Sequence, residues 1–271
     1  MLDLSGLPNT GVDTVLFIGA GAVEDSWDPV LNGLGNRIPE SNADTANVYF
    51  ASLVHRLRWL HMMNERQVQS VQARQIYADA LTEAKAEWTA VTGDIAKSIK
   101  AWHGNKLRGE AEIIKERLLS NRRFEIVTTN WDLSASTLQC NLDGDKFPTV
   151  DPIHGNYCVG LLLPGEVVDE PYRRWDNLGE FSQSAQSTVL HVRDCRRMIF
   201  WGLSVSPLDA ELGVLLRAGI RQRSFPVDEI VVVNPAFDPV IRNLRVHLGI
   251  QRYFGIAPSQ LLYVAIPEAE R

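Results

Sequence analysis

Four consecutive apolar residues, Val15, Leu16, Phe17 and Ile18, run straight into Gly19-Ala20-Gly21-Ala22. An apolar run without alternation makes a strand buried on both faces, and such a strand needs layers packed above and below it. "RFEIVTTN" (123–130), "MIFWGLS" (198–204) and "EIVVVNP" (229–235) repeat the pattern, each ending in Thr, Asn, Gly or Ser. Segments with apolar residues at three- and four-residue spacing lie between them. Strands alternating with helices predict an α/β fold, a Rossmann-like doubly wound and mostly parallel sheet.

The spacing predicts a stretch of helix alone between the first two strands. "ADTANVYFASLVHRLRWLHMM" (43–63), "QARQIYADALTEAKAEWTAV" (72–91) and "AEIIKERLL" (111–119) read as helices, with Gly93 and "HGNKLRG" (103–109) as their breaks. The expectation is one domain over 1–271 with a helical insert at 43–121. Downstream, "PTV" (148–150) is expected as a short strand and "YCVGLLLP" (157–164) as a strand or buried extended chain. Helices are expected near 184–193, from Leu208–Glu211, and over 239–249 with Gly249 as the stop. "QLLYVAIP" (260–267) is expected as the last strand.

Composition excludes several function classes. A chain that is 45% hydrophobic and 22% charged reads as a soluble globular protein. No apolar run approaches the roughly 20 residues of a membrane span. The opening "MLDLSGLPNTGVD" lacks the basic and then apolar segments of a signal peptide, so a cytoplasmic location is expected. A formal net charge of −6 argues against direct nucleic-acid binding. "RDCRR" (193–197) and "RRF" (122–124), both leading into apolar runs, are expected as solvated charges at strand starts. Cys140, Cys158 and Cys195 form no CxxC pair, so no metal site, and zinc in particular, is expected. His55, His61 and His103 have no accompanying carboxylate or Cys pattern and are expected at the surface.

In an open α/β sheet, ligands bind beyond the carboxyl ends of the strands. "GAGA", "TTNWD", "GLSVS" and "VNP" all put Gly or polar residues at that end, and the loop "PIHGN" (152–156) can lie beside them. A Gly-x-Gly turn after a first strand is where phosphate approaches backbone N–H groups. The full GxGxxG pattern is absent, because Gly21 is followed by "AVED". Neutral His154 can take a proton from a hydroxyl or water near pH 7. The Asn130 amide offers both donors and acceptors. Plainer roles stand beside these: Asp132 and Asp209 as helix caps, Trp131 as packing, Ser204 and Asn234 as turn residues.

The order of these stretches resembles the SIR2-like (sirtuin-related) family. Its GAG loop, TQNxD, HG, GxS strand end and late Asn appear as Gly19-Ala20-Gly21, Thr128-Thr129-Asn130-Trp131-Asp132, His154-Gly155, Gly202-Leu203-Ser204 and Asn234. "TTNWD…IHG" with "GLSVSPLD" is more similar to the bacterial SIR2-like proteins that hydrolyse NAD than to zinc-containing protein deacetylases. Three departures accompany the likeness, the first being that the paired CxxC zinc module of the deacetylating sirtuins is missing. The family's Ser-Gly-Ile-Pro-Asp-Phe-Arg segment is replaced by "AVEDSWDPVLNG", and its Gln by Thr129.

The resemblance implies an NAD glycohydrolase that releases nicotinamide and ADP-ribose, with NAD as substrate. Asn130, Asp132 and His154 would serve the nicotinamide ribose as catalytic residues. Gly19, Ala20, Gly21 and Ala22 would meet the pyrophosphate, with Thr129, Gly202, Ser204, Asp209 and Asn234 on the remainder of the dinucleotide. It further implies a gated effector of the antiphage-defence type, a homo-oligomer or one with an activating partner protein. The alternatives are an NAD or ADP-ribose binding module without chemistry, and a protein deacylase or ADP-ribosyltransferase. The missing CxxC module counts against the last two.

Overall fold

The computed structural model describes residues 11–66, 70–102, 106–119, 123–141, 148–173 and 178–265. Arg122 and most of the chain's first dozen residues lie outside that set, as do residues 103–105 of the "HGNKLRG" stretch, His103 among them. Six parallel strands form the central sheet: β1 (Thr14–Ile18), β2 (Phe124–Thr128), β3 (Val150–Pro152), β6 (Arg197–Trp201), β7 (Glu229–Val233) and β8 (Tyr253–Ile256). β4 (Gly155–Asn156) and β5 (Gly160–Leu161) make a small antiparallel pair of their own. The order across the sheet is β3-β2-β1-β6-β7-β8, so successive strands extend first to one side of β1 and then to the other. This is a Rossmann-like α/β fold, and β1 and β6 flank its topological switch point.

β1 is buried at all five positions, as are β2 and β6, which explains their unbroken apolar runs. Phe17 stacks on Phe200 at a centroid distance of 4.5 Å on one face of the sheet. The other face carries Leu16, Ile18, Ile126 and Trp201. Register then fixes the site. Ile18 pairs with Thr128 and Trp201, and Trp201 with Val233. The strands therefore end level, and the residues after them form one rim: Thr129, Gly19, Gly202 and Asn234.

Between β1 and β2 lie α1 (Asp28–Leu34), α2 (Ala43–Glu65), α3 (Val71–Ala101) and the short α4 (Glu110–Ile114). Asn42 caps α2 by accepting from the Thr45 amide at 2.9 Å, and Ser70 caps α3 by accepting from Ala73. Gly93 does not break its helix, contrary to expectation. α3 passes through it because Val91, Ile95 and Ile99 bury one face against α1 and α2. That outweighs the roughly 1 kcal/mol that an internal Gly costs. The return from the insert docks beside the first strand: Arg108 donates its backbone N–H to Ala22, and Glu24 to Lys106, each at 2.9 Å.

The second half holds α5 (Leu178–Asp194), α6 (Ala210–Arg221), α7 (Phe237–Leu248) and α8 (Pro258–Ala265). Two expectations fail here. "QLLYVAIP" is not a strand through its first part, since α8 covers 258–265, and 266–267 lie outside the described residues; among those described the last strand is the earlier "YFGI" of β8. Pro258 opens the helix, and Gln260 Oε1 accepts from the Ala257 amide at 2.8 Å. "RDCRR" is not a solvated cluster either. Arg193 and Arg197 are buried, the first paired with Asp194 and the second with Glu229, while Arg197 also donates to the Leu118 carbonyl. Within that cluster Arg196 reaches solvent, with 65% of its side chain exposed.

Among the described residues no helix is long and apolar enough to cross a membrane. His55 is exposed, and His61 is half-buried beside Glu65 at 3.1 Å.

Candidate active site

A cavity of ≈ 320 Å³ opens above the rim at the switch point, a size suited to a small ligand. Four strand ends and the loop after β3 contribute to it. Ala20 and Gly21 come from β1, Thr129, Asn130 and Asp132 from β2, Gly202 and Ser204 from β6, and Asn234 from β7. His154 follows β3, and Asp209 precedes α6. These residues are up to 214 positions apart in sequence (234 − 20), yet they line one space. Gly19 and Ala22 do not line it.

Gly19 and Gly21 serve the site by close packing. A Cβ on Gly19 would lie 2.5 Å from the Leu203 side chain, and one on Gly21 would lie 3.0 Å from the Gly202 carbonyl oxygen. Gly202 has φ +66°, and a Cβ there would fall 2.1 Å from the Ala22 nitrogen. The two turns thus pack backbone on backbone, as only glycines allow. Their amides are largely spent inside the protein. Gly19 N–H donates to Trp201 O at 3.0 Å, Gly21 N–H to Gly202 O at 2.9 Å and Ala22 N–H to Gly19 O at 2.9 Å. The loop leads into one 3-10 turn (Ala20–Ala22), and the first α-helix starts only at Asp28.

Asn130 is buried, and it links two strand ends. Its backbone N–H donates to Thr128 Oγ1 at 3.0 Å, and its carboxamide Nδ2 donates to Gly19 O at 3.3 Å. Asp132, also buried, accepts from the Ser134 backbone N–H at 2.7 Å and from the Ser134 hydroxyl. It therefore caps the 3-10 turn that starts at Ser134 while lining the cavity. Trp131 is a packing residue that also borders the cavity: its indole N–H donates to Leu162 O at 3.1 Å and its ring meets Phe50 edge-on.

His154 is buried, and burial pulls its imidazole pKa down to about 4, against a hydrogen bond with the Thr129 backbone that favours the charged form. The ring is neutral at pH 7. With one ring nitrogen donating to the Thr129 carbonyl, the other is an acceptor. Such a ring can receive a hydrogen bond from a hydroxyl without itself adding charge.

The β6 and β7 sides form a polar shelf. Asp209 accepts from the Ser206 amide at 2.8 Å and from the Ser204 hydroxyl at 3.4 Å. It occupies the cap position of α6 but makes no side-chain cap bond to that helix. Burial raises its carboxyl pKa, against the hydrogen bonds from Ser206 and Ser204. Asn234 donates to Leu203 O at 3.2 Å and accepts from the Ala236 amide at 2.9 Å, holding the turn it was expected to hold. Val205, β-branched and buried, has φ +49°, a strained conformation between two cavity-lining serines.

The helices supply walls that the sequence did not reveal. Ala43 and Asn47 of α2, Ile99 of α3 and Trp102 just after it face the cavity, as do Ser26 and Trp27 before α1. An amphipathic pattern reports only that a residue is buried, so helix positions facing a ligand look like core. Trp27 lies in "AVEDSWDPVLNG" (22–33), the segment already noted as unlike the SIR2-like pattern, and that was its one signal. No Lys or Arg lines the cavity among the described residues, so a phosphate would have to be met by hydroxyl, amide and backbone groups, away from the carboxylates of Asp132 and Asp209.

Among the described residues no group of three or more His, Cys, Asp and Glu is placed to hold a metal ion. Cys158 is exposed and Cys195 buried, and both are free thiols.

No family model matches the chain, and no curated protein matches it. Among solved structures it is similar to a chain from work on the "Structural Basis for the Mechanism and Regulation of Sir2 Enzymes". The identity is 13%, the match covers 94% of this chain and 90% of that one, and the TM-score is 0.37. A likeness at that score carries no weight beside the cavity's own residues.

Proposed function

We propose that the protein binds NAD in the switch-point cavity and hydrolyses its nicotinamide–ribose bond, giving nicotinamide and ADP-ribose. One observation carries this reading: Asn130, Asp132 and His154, separate in sequence, line a single cavity at the switch point of a parallel sheet. That is where this architecture takes nucleotides.

The chemistry fits the groups present. Nicotinamide leaves as a neutral ring from a pyridinium, so no general acid is required. The transition state is oxocarbenium-like, and it is helped by positioning and by negative charge near the anomeric carbon. Asp132 supplies a carboxylate. Asn130 can orient the ribose or the attacking water, and neutral His154 can accept from a ribose hydroxyl or take the proton that the water loses as it bonds to the anomeric carbon, passing it on to solvent. The polar shelf of Ser204, Ser206, Asp209 and Asn234 suits the adenosine half, with Asp209 able to accept from a ribose hydroxyl.

Incubating the purified chain with NAD and measuring nicotinamide and ADP-ribose tests the reading. Stoichiometric NAD binding with no nicotinamide release would favour a binding or sensor module instead. The carboxylate of Asp132, already engaged by Ser134, is the observation that supports that second reading. Activity is further proposed to be gated, through a homo-oligomer or an activating partner, in a bacterial antiphage-type effector. Asn47, Ile99 and Trp102 support this, because they make the helices between β1 and β2 part of the cavity wall.

A further inference from the structure

Behind the segment that carries His154 lies a second cavity, of ≈ 360 Å³, between the edge strand β3 and α5. Asp151, Pro152, Gly155 and Asn156 line it, while His154 among them lines the first cavity. Asp151 is the charged residue of this lining among the described residues, and only 8% of it is exposed. Its Oδ2 is enclosed, 3.3 Å from His191 Nε2, and makes no hydrogen bond. His191 Nε2 lies instead 2.9 Å from Ser187 Oγ.

A Ser-His-Asp relay does not account for this cluster. A relay needs the hydroxyl and the carboxylate on opposite ring nitrogens. Here both crowd Nε2, while Nδ1 is buried without a partner. What remains is a carboxylate largely removed from water, with Oδ2 sealed and Oδ1 left as the oxygen a ligand can reach. His191 stands at ion-pair distance from Oδ2 alone, and the Oδ1 side of the buried carboxylate still lacks donors among the described residues. Among the described residues the rest of the lining is neutral, including the hydroxyls of Ser184 and Ser187, the amide of Gln183, and the apolar Phe181 and Val159. One anion, neutral acceptors and an aromatic wall together select a small organic cation.

We propose that this cavity binds a small organic ammonium ion. Asp151 is its counter-ion, Ser184 and Ser187 accept from its remaining N–H groups, and Phe181 covers its alkyl part. Titration of the full chain with n-butylammonium chloride, followed by ligand-observed NMR, tests this, with n-butanol and sodium butyrate as neutral and anionic controls of similar shape. Saturable binding of the ammonium is expected, about tenfold or more tighter than either control. Asp151→Asn should weaken it by about tenfold or more, the scale of one hydrogen bond to a charged group. Ser184→Phe, on a half-buried position of α5, should fill the cavity and remove binding without touching the carboxylate. Circular dichroism establishes that each variant is folded, and Ser184→Phe decides the matter if Asp151→Asn is not. The proposal is overturned by no binding of butylammonium, by equal binding of butanol, or by folded variants that bind as the parent does. None of these readouts requires NAD or its cleavage.

Discussion

The carboxamide nitrogen of Asn130 donates to the backbone carbonyl of Gly19 across 3.3 Å, tying the end of β2 to the end of β1. One side chain thus faces the cavity and holds its floor together. Asn130→Ala is expected to lower NAD cleavage by roughly 10²-fold, as for a lost positioned group. It should also cost about 0.5–1.5 kcal/mol of stability, the net worth of one hydrogen bond, because the Gly19 carbonyl keeps the Ala22 N–H and loses only its second donor. Nicotinamide release and a urea unfolding curve measure the two effects. A folded variant that cleaves at the parent rate removes Asn130 from the mechanism.

His154→Ala should likewise reduce cleavage by roughly 10²-fold. NAD binding should persist, because the remainder of the lining is untouched. In the double variant with Asn130→Ala the loss should be little greater than in either single one, since residues that act as a unit are strongly non-additive. Additive losses, measured as kcat/KM, would show that the two act separately.

The buried imidazole also makes a pH prediction. The His154 pKa is lowered to about 4 in the folded chain, below the ordinary value of 6.5. As pH falls below 6.5 the unfolded chain takes up a proton that the folded chain refuses, so stability is lost between pH 6.5 and about 4. The full loss is about 3 kcal/mol from this one group. His154→Gln should flatten that part of a stability-versus-pH curve from chemical denaturation. An unchanged slope would contradict the burial of the ring. The His154 contribution to activity, in contrast, should be level from pH 8 to pH 5, where the ring stays neutral.

Gly202→Ala should damage the fold as well as the site, because the new Cβ would fall 2.1 Å from the Ala22 nitrogen at a φ of +66°. A drop in thermal midpoint together with loss of NAD binding is expected. Gly21→Asp meets a less severe contact, 3.0 Å from the Gly202 oxygen. It also brings a carboxylate to the cavity rim, so binding should be abolished with a smaller stability change. NAD titration by calorimetry separates the two cases.

Gating can be read in cells. Val48, Trp59, Met62 and Ile76 are exposed on α2 and α3. Replacing them with Ser is expected to change the NAD level and growth of cells expressing the chain. No change in either, with high turnover already present in the intact protein, would argue against a gate.

Much of the fold was legible because its signal is local. Apolar runs of similar length, each closed by Gly, Thr or Asn, marked the central strands, and their parallel register then turned four strand ends into one rim. The helices between β1 and β2 were legible from spacing, and Asp132 as a cap from its residue type at the end of a strand. Other features depended on what stands across space. "QLLYVAIP" has the apolar run of a strand, but Pro258 and the Gln260 cap start a helix there, and Leu261 is buried against the sheet's flank. "RDCRR" looked solvated because its partner Glu229 comes 32 positions after Arg197 (229 − 197). The glycines of "GAGA" could be seen to permit a tight turn. That their amides are consumed by Trp201 and Gly202, and that α2 and α3 wall the cavity, was decided by packing alone. Periodicity tells a residue that it is covered; only the tertiary structure says whether the cover is another side chain or room for a ligand.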